Sequence, residues 1–179
     1  MLEKMIELTN EYIESMPKKE RKKYGQFFTS METARFMAAL YNIDEKKSRV
    51  SVLDAGAGSG ILSCAFIERL EMIDSIQEIE LTCYENDNNV LPLLKQNLEY
   101  CKEKSGKKID INIIEDNYIL SQYLDFNHMI GGNDDPKKYD FVIGNPPYMK
   151  ISKDAPEATA MPKVCYGAPN LYFIFASMG

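Results

Sequence analysis

The chain has 179 residues, of which 27 are acidic and 21 are basic, so its net charge is −6. This length fits one domain of ordinary size, and an apolar fraction of 45% excludes a disordered or fibrous chain. The negative net charge argues against a uniformly basic surface that would bind nucleic acid everywhere, but it leaves room for a local basic patch.

Cysteine usage and apolar runs exclude further classes of protein. The four cysteines form no C-x-x-C pair and there is one histidine, so we expect no metal site, no disulfide framework and a cytoplasmic location. The N-terminus is too charged for a signal peptide, and no apolar run approaches ~18 residues. We therefore expect no contact with a membrane.

The N-terminal part of the sequence is predicted to be helical. Apolar spacing predicts a helix over residues 2–16, followed by a basic run at 18–23. That run fits either a solvated face or contacts with phosphates. Thr29 and Glu32 match a capping box, which predicts a second helix over about 30–41.

Strands and helices are then predicted to alternate. Apolar periodicity predicts strands at 49–54, 78–85, 109–114 and 139–144, and helices at 61–70 and 88–104. The pattern of residues 117–138 is mixed, with a G-G-N-D-D-P loop. The alternation predicts an α/β fold with a parallel, doubly wound sheet of about four strands.

A glycine-rich turn, D-A-G-A-G-S-G at 54–60, follows the first strand and opens a helix. Gly56, Gly58 and Gly60 can take positive φ and let the backbone approach a ligand closely. The G-x-G-x-G spacing departs from the G-x-G-x-x-G fingerprint of dinucleotide-binding proteins, so a nicotinamide-dependent dehydrogenase is the less favoured interpretation. A tight turn without a ligand is the structural alternative.

Acidic residues end the second and third predicted strands. Glu85 at the tip of the second strand is suited to accept both ribose hydroxyls of a nucleoside cofactor. Glu115 and Asp116 end the third strand, and an acceptor there would suit the exocyclic amine of an adenine. Because the carboxyl ends of parallel strands meet at one edge, these acids and the glycine turn are expected to line one crevice.

The fourth predicted strand continues into N-P-P-Y at 145–148. The two prolines fix the backbone and remove two donors. The amide oxygen of Asn145 and the carbonyl of Pro146 are then able to accept both hydrogens of a planar amino group. Tyr148 offers a flat face on which a base can stack. A rigid turn without chemistry is the alternative interpretation.

With these motifs the sequence resembles the S-adenosylmethionine-dependent N6-adenine DNA methyltransferases of restriction–modification systems, from Tyr24 to about Phe175. The resemblance implies a Rossmann-like class I methyltransferase fold with S-adenosylmethionine as cofactor. It implies an N-terminal helical segment with a cofactor-contacting loop at 1–48 and a catalytic domain at 49–179.

The resemblance also implies roles for individual residues. It places Asp54 near the methionine amino group of the cofactor, Glu85 at the ribose and Asp116 at the adenine amine. The other cofactor contacts that it implies are Tyr24, Gln26, Phe28, Thr29, Ala55, Gly56, Gly58, Gly60 and Asn86. The catalytic residues that it implies are Asn145, Pro146, Pro147 and Tyr148. A further motif at 169–172 is expected to open a helix behind the pocket.

The implied reaction is direct methyl transfer to the N6 amino group of an adenine flipped out of DNA in a prokaryotic cytoplasm. A specificity subunit, or a fused recognition or nuclease region, is the implied partner. Two alternatives stay open: methylation of a protein glutamine or a ribosomal RNA amino group, and an inactive nucleoside-binding fragment. The apolar fourth strand and the apolar run at 171–178 lead us to expect the N-terminal part of a longer enzyme.

Overall fold

The structure is a computed structural model that describes residues 1–18, 28–131, 138–165 and 167–178. No helix in these four ranges is long and apolar enough to cross a membrane. The elements in chain order are α1 (Leu2–Ser15), α2 (Met31–Ala39), β1 (Arg49–Asp54), α3 (Ile61–Glu71), β2 (Glu78–Tyr84), α4 (Leu91–Lys104), β3 (Lys108–Ile114), α5 (Tyr118–Gly131), β4 (Phe141–Ile143), α6 (Pro156–Ala160) and α7 (Leu171–Met178).

The four strands form one parallel sheet in the order β3-β2-β1-β4. Val52 of β1 pairs with Leu81 of β2 on one side and with Phe141 of β4 on the other. Since all strands run in the same direction, their carboxyl ends meet at a single edge. The predicted α/β fold with a parallel four-stranded sheet is therefore confirmed.

Helices cover both faces of the sheet, as strands buried on both sides require. Val50 and Val52 belong to a large apolar core with α1 to α4, whereas Leu53, one residue further, packs with Tyr118 on the opposite face. Helices α5 and α7 lie on this second face. The alternation along β1 follows from the two-residue period of a strand.

The second helix begins one residue later than its predicted capping box. The N-cap is Ser30, whose Oγ accepts a hydrogen bond from the backbone N–H of Thr33 at 3.3 Å. The prediction of Thr29 as the cap was therefore wrong. This shift leaves the hydroxyl of Thr29 available for a contact in the site described below.

The region at 117–138, whose mixed pattern predicted neither a helix nor a strand, is helical over most of its described part. Helix α5 is capped by Asn117, whose Oδ1 accepts a hydrogen bond from the N–H of Leu120 at 3.1 Å. Tyr118 and Ile119 are buried at its start. Residues 132–137 of the predicted loop lie outside the described residues, as do 19–23 of the basic run.

Candidate active site

A cavity of about 390 Å³, here called the main cavity, lies at the carboxyl ends of the strands. Each strand contributes through the residues that follow it. Those residues are Ala55, Gly56 and Gly58 after β1, Glu85, Asn86 and Asp87 after β2, Asn117 and Tyr118 after β3, and Asn145 to Tyr148 after β4. The glycine turn and Glu85 line one crevice as predicted, together with the N-P-P-Y motif, whereas Glu115 and Asp116 do not line it.

The glycines of the glycine turn have different structural roles. Gly58 (φ +55°) and Gly60 (φ +80°) have left-handed backbones, whereas Gly56 does not. Gly58 lines the main cavity beside Phe28. A Cβ on Gly60 would lie 3.0 Å from Cδ1 of Leu94, so Gly60 serves the packing of α3 against α4. Gly60 does not line the cavity.

Backbone donors hold the carboxylate of Glu85 in place. Its Oε2 accepts a hydrogen bond from Gly58 N–H at 2.8 Å, and its Oε1 accepts from Asn86 N–H and Asp87 N–H, also at 2.8 Å. These bonds join the tip of β2 to the glycine turn. Because each carboxylate oxygen has two lone pairs and Oε1 already accepts two hydrogen bonds, it is Oε2 that keeps capacity to accept from a ligand at the cavity wall.

Asp54 lies at the end of β1 with 1% of its surface exposed. Its Oδ2 accepts a hydrogen bond from Ser63 Oγ at 2.6 Å, while Oδ1 has no hydrogen-bond partner in the described part of the chain. Burial raises the pKa of Asp54 from 3.8 to about 6, against the opposing effects of hydrogen bonds from Ser63 and from the backbone of Gly56. A buried carboxylate with one unpartnered oxygen is suited to a cationic ligand group.

A small inner cavity of about 30 Å³ connects Asp54 with the N-P-P-Y motif. Thr29, Asp54 and Asn145 all line it. Nδ2 of Asn145 donates a hydrogen bond to Oγ1 of Thr29 at 3.1 Å. One N–H of the amide is used in this bond, and the amide oxygen makes no hydrogen bond within the described residues, so it keeps its capacity to accept.

Tyr148 stands at the mouth of the main cavity with 72% of its surface exposed. Its ring stacks on that of Tyr172, with the ring centroids 5.0 Å apart and the planes 17° from parallel. An antiparallel bridge holds the two segments together through a hydrogen bond from Leu171 N–H to the Met149 carbonyl at 3.0 Å. As expected, 169–172 leads into a helix beside the pocket.

Among the described residues, Gly60 and Asp116 are predicted cofactor contacts that do not line the cavity. Tyr24 and Gln26 lie outside the described residues. Asp116 is exposed, and its Oδ1 accepts a hydrogen bond from the N–H of Asn117 at 2.7 Å. The next residue, Asn117, lines the cavity in its place.

Several cavity residues were missed by sequence reasoning. Tyr118 and Phe175 form a stacked pair with ring centroids 5.8 Å apart, and Glu157 approaches from α6. The capping role of Asn117 could have been predicted, because an Asn directly before an apolar segment is a typical helix start. Glu157 had no such signal, because only the long-range fold brings it to the strand tips. The described ranges contain no cluster of three or more potential metal ligands.

Comparison with solved structures defines the class of protein. A putative class I S-adenosylmethionine-dependent methyltransferase from Listeria monocytogenes superposes with a TM-score of 0.55 at 15% sequence identity, over 96% of this chain and 59% of that one. The chain therefore has the Rossmann-like fold of class I methyltransferases.

The family follows from the sequence itself. Residues 7–165 match the N-6 DNA Methylase family, and the chain belongs to that family. It is 33% identical over 162 residues to the Type II methyltransferase M.PstI of Providencia stuartii, covering 88% of this chain and 30% of that protein. It is 32% identical over 163 residues to the Type II methyltransferase M.BsuBI of Bacillus subtilis, covering 89% of this chain and 31% of that protein.

The chain thus spans about a third of the length of these curated relatives. The predicted resemblance to N6-adenine DNA methyltransferases of the restriction–modification type is confirmed. S-adenosylmethionine, the predicted cofactor, is the cofactor of this fold and family.

Proposed function

We propose that the protein transfers a methyl group from S-adenosylmethionine to the N6 amino group of adenine at specific sites in DNA, within a restriction–modification system. The observation that carries this proposal is the hydrogen bond from Asn145 to Thr29 beside the glycine turn. It leaves the amide oxygen of the N-P-P-Y motif facing the place where a methyl donor and an amino group have to meet.

The residues at the strand tips fit the cofactor. The unpartnered Oδ1 of buried Asp54 suits the ammonium group of the methionine part. Glu85, held by three backbone N–H groups, suits the ribose hydroxyls. The close approach of Gly58 to the cavity leaves room that a side chain would fill. Phe28, Thr29, Ala55, Gly56 and Asn86 complete the wall that we propose for the cofactor.

The chain's chemical role is to position and polarise the target amine. The bound cofactor supplies an electrophilic methyl group on a sulfonium ion. Asn145 accepts one hydrogen of the amine through its amide oxygen, and the backbone carbonyl of Pro146 accepts the other. Two accepted hydrogen bonds draw the nitrogen lone pair out of conjugation with the ring and direct it at the methyl group. Pro147 keeps this backbone rigid.

Adenine in a duplex is buried in the base stack, so it has to flip out to reach this site. Tyr148 is exposed at the mouth of the cavity, where its ring can stack on the flipped base. We propose that a specificity subunit, or a fused recognition or nuclease region, supplies the sequence-specific contacts. The cytoplasm of a prokaryote is the compartment in which such DNA is found. Residues 1–48 would then be the segment that carries the cofactor-contacting loop, and 49–179 the catalytic domain.

Calorimetry and methyl transfer together test the proposal. The full-length protein is titrated with S-adenosylmethionine and then incubated with DNA of mixed sequence and labelled cofactor. We expect binding, followed by label in N6-methyladenine after digestion to nucleosides. Gly58→Leu is the matched variant, and it should abolish binding. Binding without transfer to any DNA would indicate a nucleoside-binding module, and label recovered only from RNA or protein would indicate another substrate.

A further inference from the structure

The β3 end of the main cavity holds a side-chain pair to which the sequence analysis assigned no role. Nδ2 of Asn117 donates a hydrogen bond to Oε1 of Glu157 at 2.8 Å. Both residues line the cavity, although 40 positions separate them in sequence. Asn117 follows β3, and Glu157 belongs to the short helix α6.

The order of the strands tells which part of a ligand reaches this pair. From β4 the sheet runs through β1 and β2 to β3, so Glu157 and Asn117 lie beyond Glu85 along the row of strand tips. A nucleoside whose ribose is held at Glu85 and whose sulfonium group faces Asn145 therefore extends its base toward the β3 end.

The walls of this end are apolar and aromatic. Tyr118 is buried and stacks with Phe175, with the planes 26° from parallel, and Ile119 and Leu171 lie beside them. Apolar walls with a few convergent polar groups are the usual form of a site for a flat base. Here the convergent polar groups are the carboxylate of Glu157 and the amide of Asn117.

Glu157 is better placed than Asp116 to contact the base. Asp116 is exposed, does not line the cavity and already accepts a hydrogen bond from the backbone of Asn117. Glu157 is half-buried, and the bond from Asn117 fixes its orientation. Within the described residues its second oxygen, Oε2, makes no hydrogen bond, so it is available as an acceptor at the cavity wall.

We propose that Glu157, positioned by Asn117, accepts a hydrogen bond from the exocyclic amine of the cofactor's adenine and selects adenine over hypoxanthine at this site. This inference rests on the proposed function, because it assumes that S-adenosylmethionine occupies the main cavity. A base that carries a carbonyl oxygen at this position places an acceptor against the carboxylate and is repelled.

The test compares two ligands that differ at this group and at the adjacent ring nitrogen N1, which carries a hydrogen in the second ligand. S-adenosylhomocysteine carries the amine, and S-inosylhomocysteine, its deaminated form, carries an oxygen. We expect the full-length protein to bind the amine form about 10- to 100-fold more tightly in calorimetry, as for a hydrogen bond to a charged group. In Glu157→Ala this ratio should fall to about 1–3, because affinity for the amine form drops while affinity for the oxygen form rises or stays the same.

Asp116→Ala is the matched control, because it removes the same group from the neighbouring position. It should keep the ratio of the unmodified protein. A ratio near one in the unmodified protein, a ratio unchanged in Glu157→Ala, or a ratio lost in Asp116→Ala alone would each overturn the inference. A ratio near one in the unmodified protein would overturn the inference even where Glu157→Ala does not fold. Failure to bind either ligand would instead overturn the proposed function and this inference with it.

Discussion

The amide of Asn145 and the hydroxyl of Thr29 are joined by a hydrogen bond of 3.1 Å across 116 positions of sequence. An amide that is free to rotate presents its NH₂ group to a cavity as readily as its oxygen. The NH₂ group would repel an incoming amine, whereas the oxygen accepts from it. We therefore propose that Thr29 is a positioning residue for the N-P-P-Y motif.

Thr29→Val removes this hydrogen bond with little change of volume. We expect the rate of methyl transfer at saturating cofactor and DNA to fall about tenfold, which corresponds to the net free energy of one hydrogen bond. Thr29→Ser keeps the hydroxyl and should retain most of the rate. The measurement is single-turnover transfer of labelled methyl groups, and equal rates for Thr29→Val and the unmodified protein would contradict the positioning role.

The stack of Tyr148 on Tyr172 predicts which substitutions impair the handling of the flipped base. Tyr148→Ala should weaken DNA binding by roughly 1–3 kcal/mol, the usual worth of one base stacked on an aromatic ring. Tyr148→Phe should be far milder, because the ring makes the stack. Tyr172→Ala should fall between them, since it leaves the ring of Tyr148 without support on one face.

DNA affinity of each variant in the presence of S-adenosylhomocysteine is the measurement for these tyrosines. Equal losses in Tyr148→Ala and Tyr148→Phe would show that the hydroxyl matters and that the stacking role is mistaken. Tyr172→Phe is the control for Tyr172→Ala and should bind like the unmodified protein.

Asp54 should make the stability of the cofactor-free protein depend on pH. Its pKa rises from 3.8 to about 6 on folding, so the folded state holds a proton that the unfolded chain has lost. The stabilisation from this proton is complete below pH ~4 and is lost as pH rises through ~6. At ~1.36 kcal/mol per pKa unit, the loss is on the order of 2–3 kcal/mol.

Asp54→Asn tests this by removing the ionisation. Relative to the unmodified protein, the variant should be more stable at pH 7 and should lose that advantage near pH 4, in chemical denaturation without cofactor. It should also bind S-adenosylmethionine much more weakly, because the proposed partner of the ammonium group has lost its charge. In the unmodified protein, binding should weaken as pH falls through about 6. A variant with unchanged stability at pH 7 and unchanged affinity would contradict this assignment.

Substitutions at two glycines of the same turn should impair different properties, cofactor binding in one case and stability in the other. Gly58→Leu places a side chain beside Phe28 in the cavity, so we expect loss of cofactor binding. Gly60→Ala strains a backbone of φ +80° and brings Cβ within 3.0 Å of Leu94. It should lower the free energy of unfolding by about 1–2 kcal/mol or more and leave the cofactor affinity of the folded protein unchanged. The reverse pattern in calorimetry and denaturation would overturn these two roles.

Local patterns in the sequence were sufficient to predict the sheet and most of the motifs that line the cavity. The run R-V-S-V-L-D has the β-branched, apolar character of a buried strand, and the structure begins and ends β1 at the predicted residues. Glu85 was predictable because a residue directly after a parallel strand has to lie at the ligand-binding edge. The position of the N-P-P-Y motif at this edge was predictable for the same reason.

Other features could not be predicted from local patterns, because they depend on long-range contacts or on which of two adjacent residues faces the cavity. Asp116 and Asn117 both follow β3, and which of the two faces the cavity is decided by how the chain turns into α5. Glu157 reaches the site only because α6 packs against α5. The missed helix α5 begins with crowded apolar residues that face both the sheet and α7, so its pattern lacks the simple period of a surface helix.

In the proposed reaction, Asn145 presents an acceptor to the N6 amino group of adenine in DNA. The most direct measurement is the amount of N6-methyladenine, by mass spectrometry of nucleosides, in the DNA of a bacterial host without adenine methyltransferases that expresses the full-length protein. We expect N6-methyladenine in this DNA and far less of it for Asn145→Ala, whose transfer rate should be lower by ~10²-fold or more and which should still bind the cofactor. Absence of N6-methyladenine with the unmodified protein, or an equal rate with Asn145→Ala, would contradict the claim.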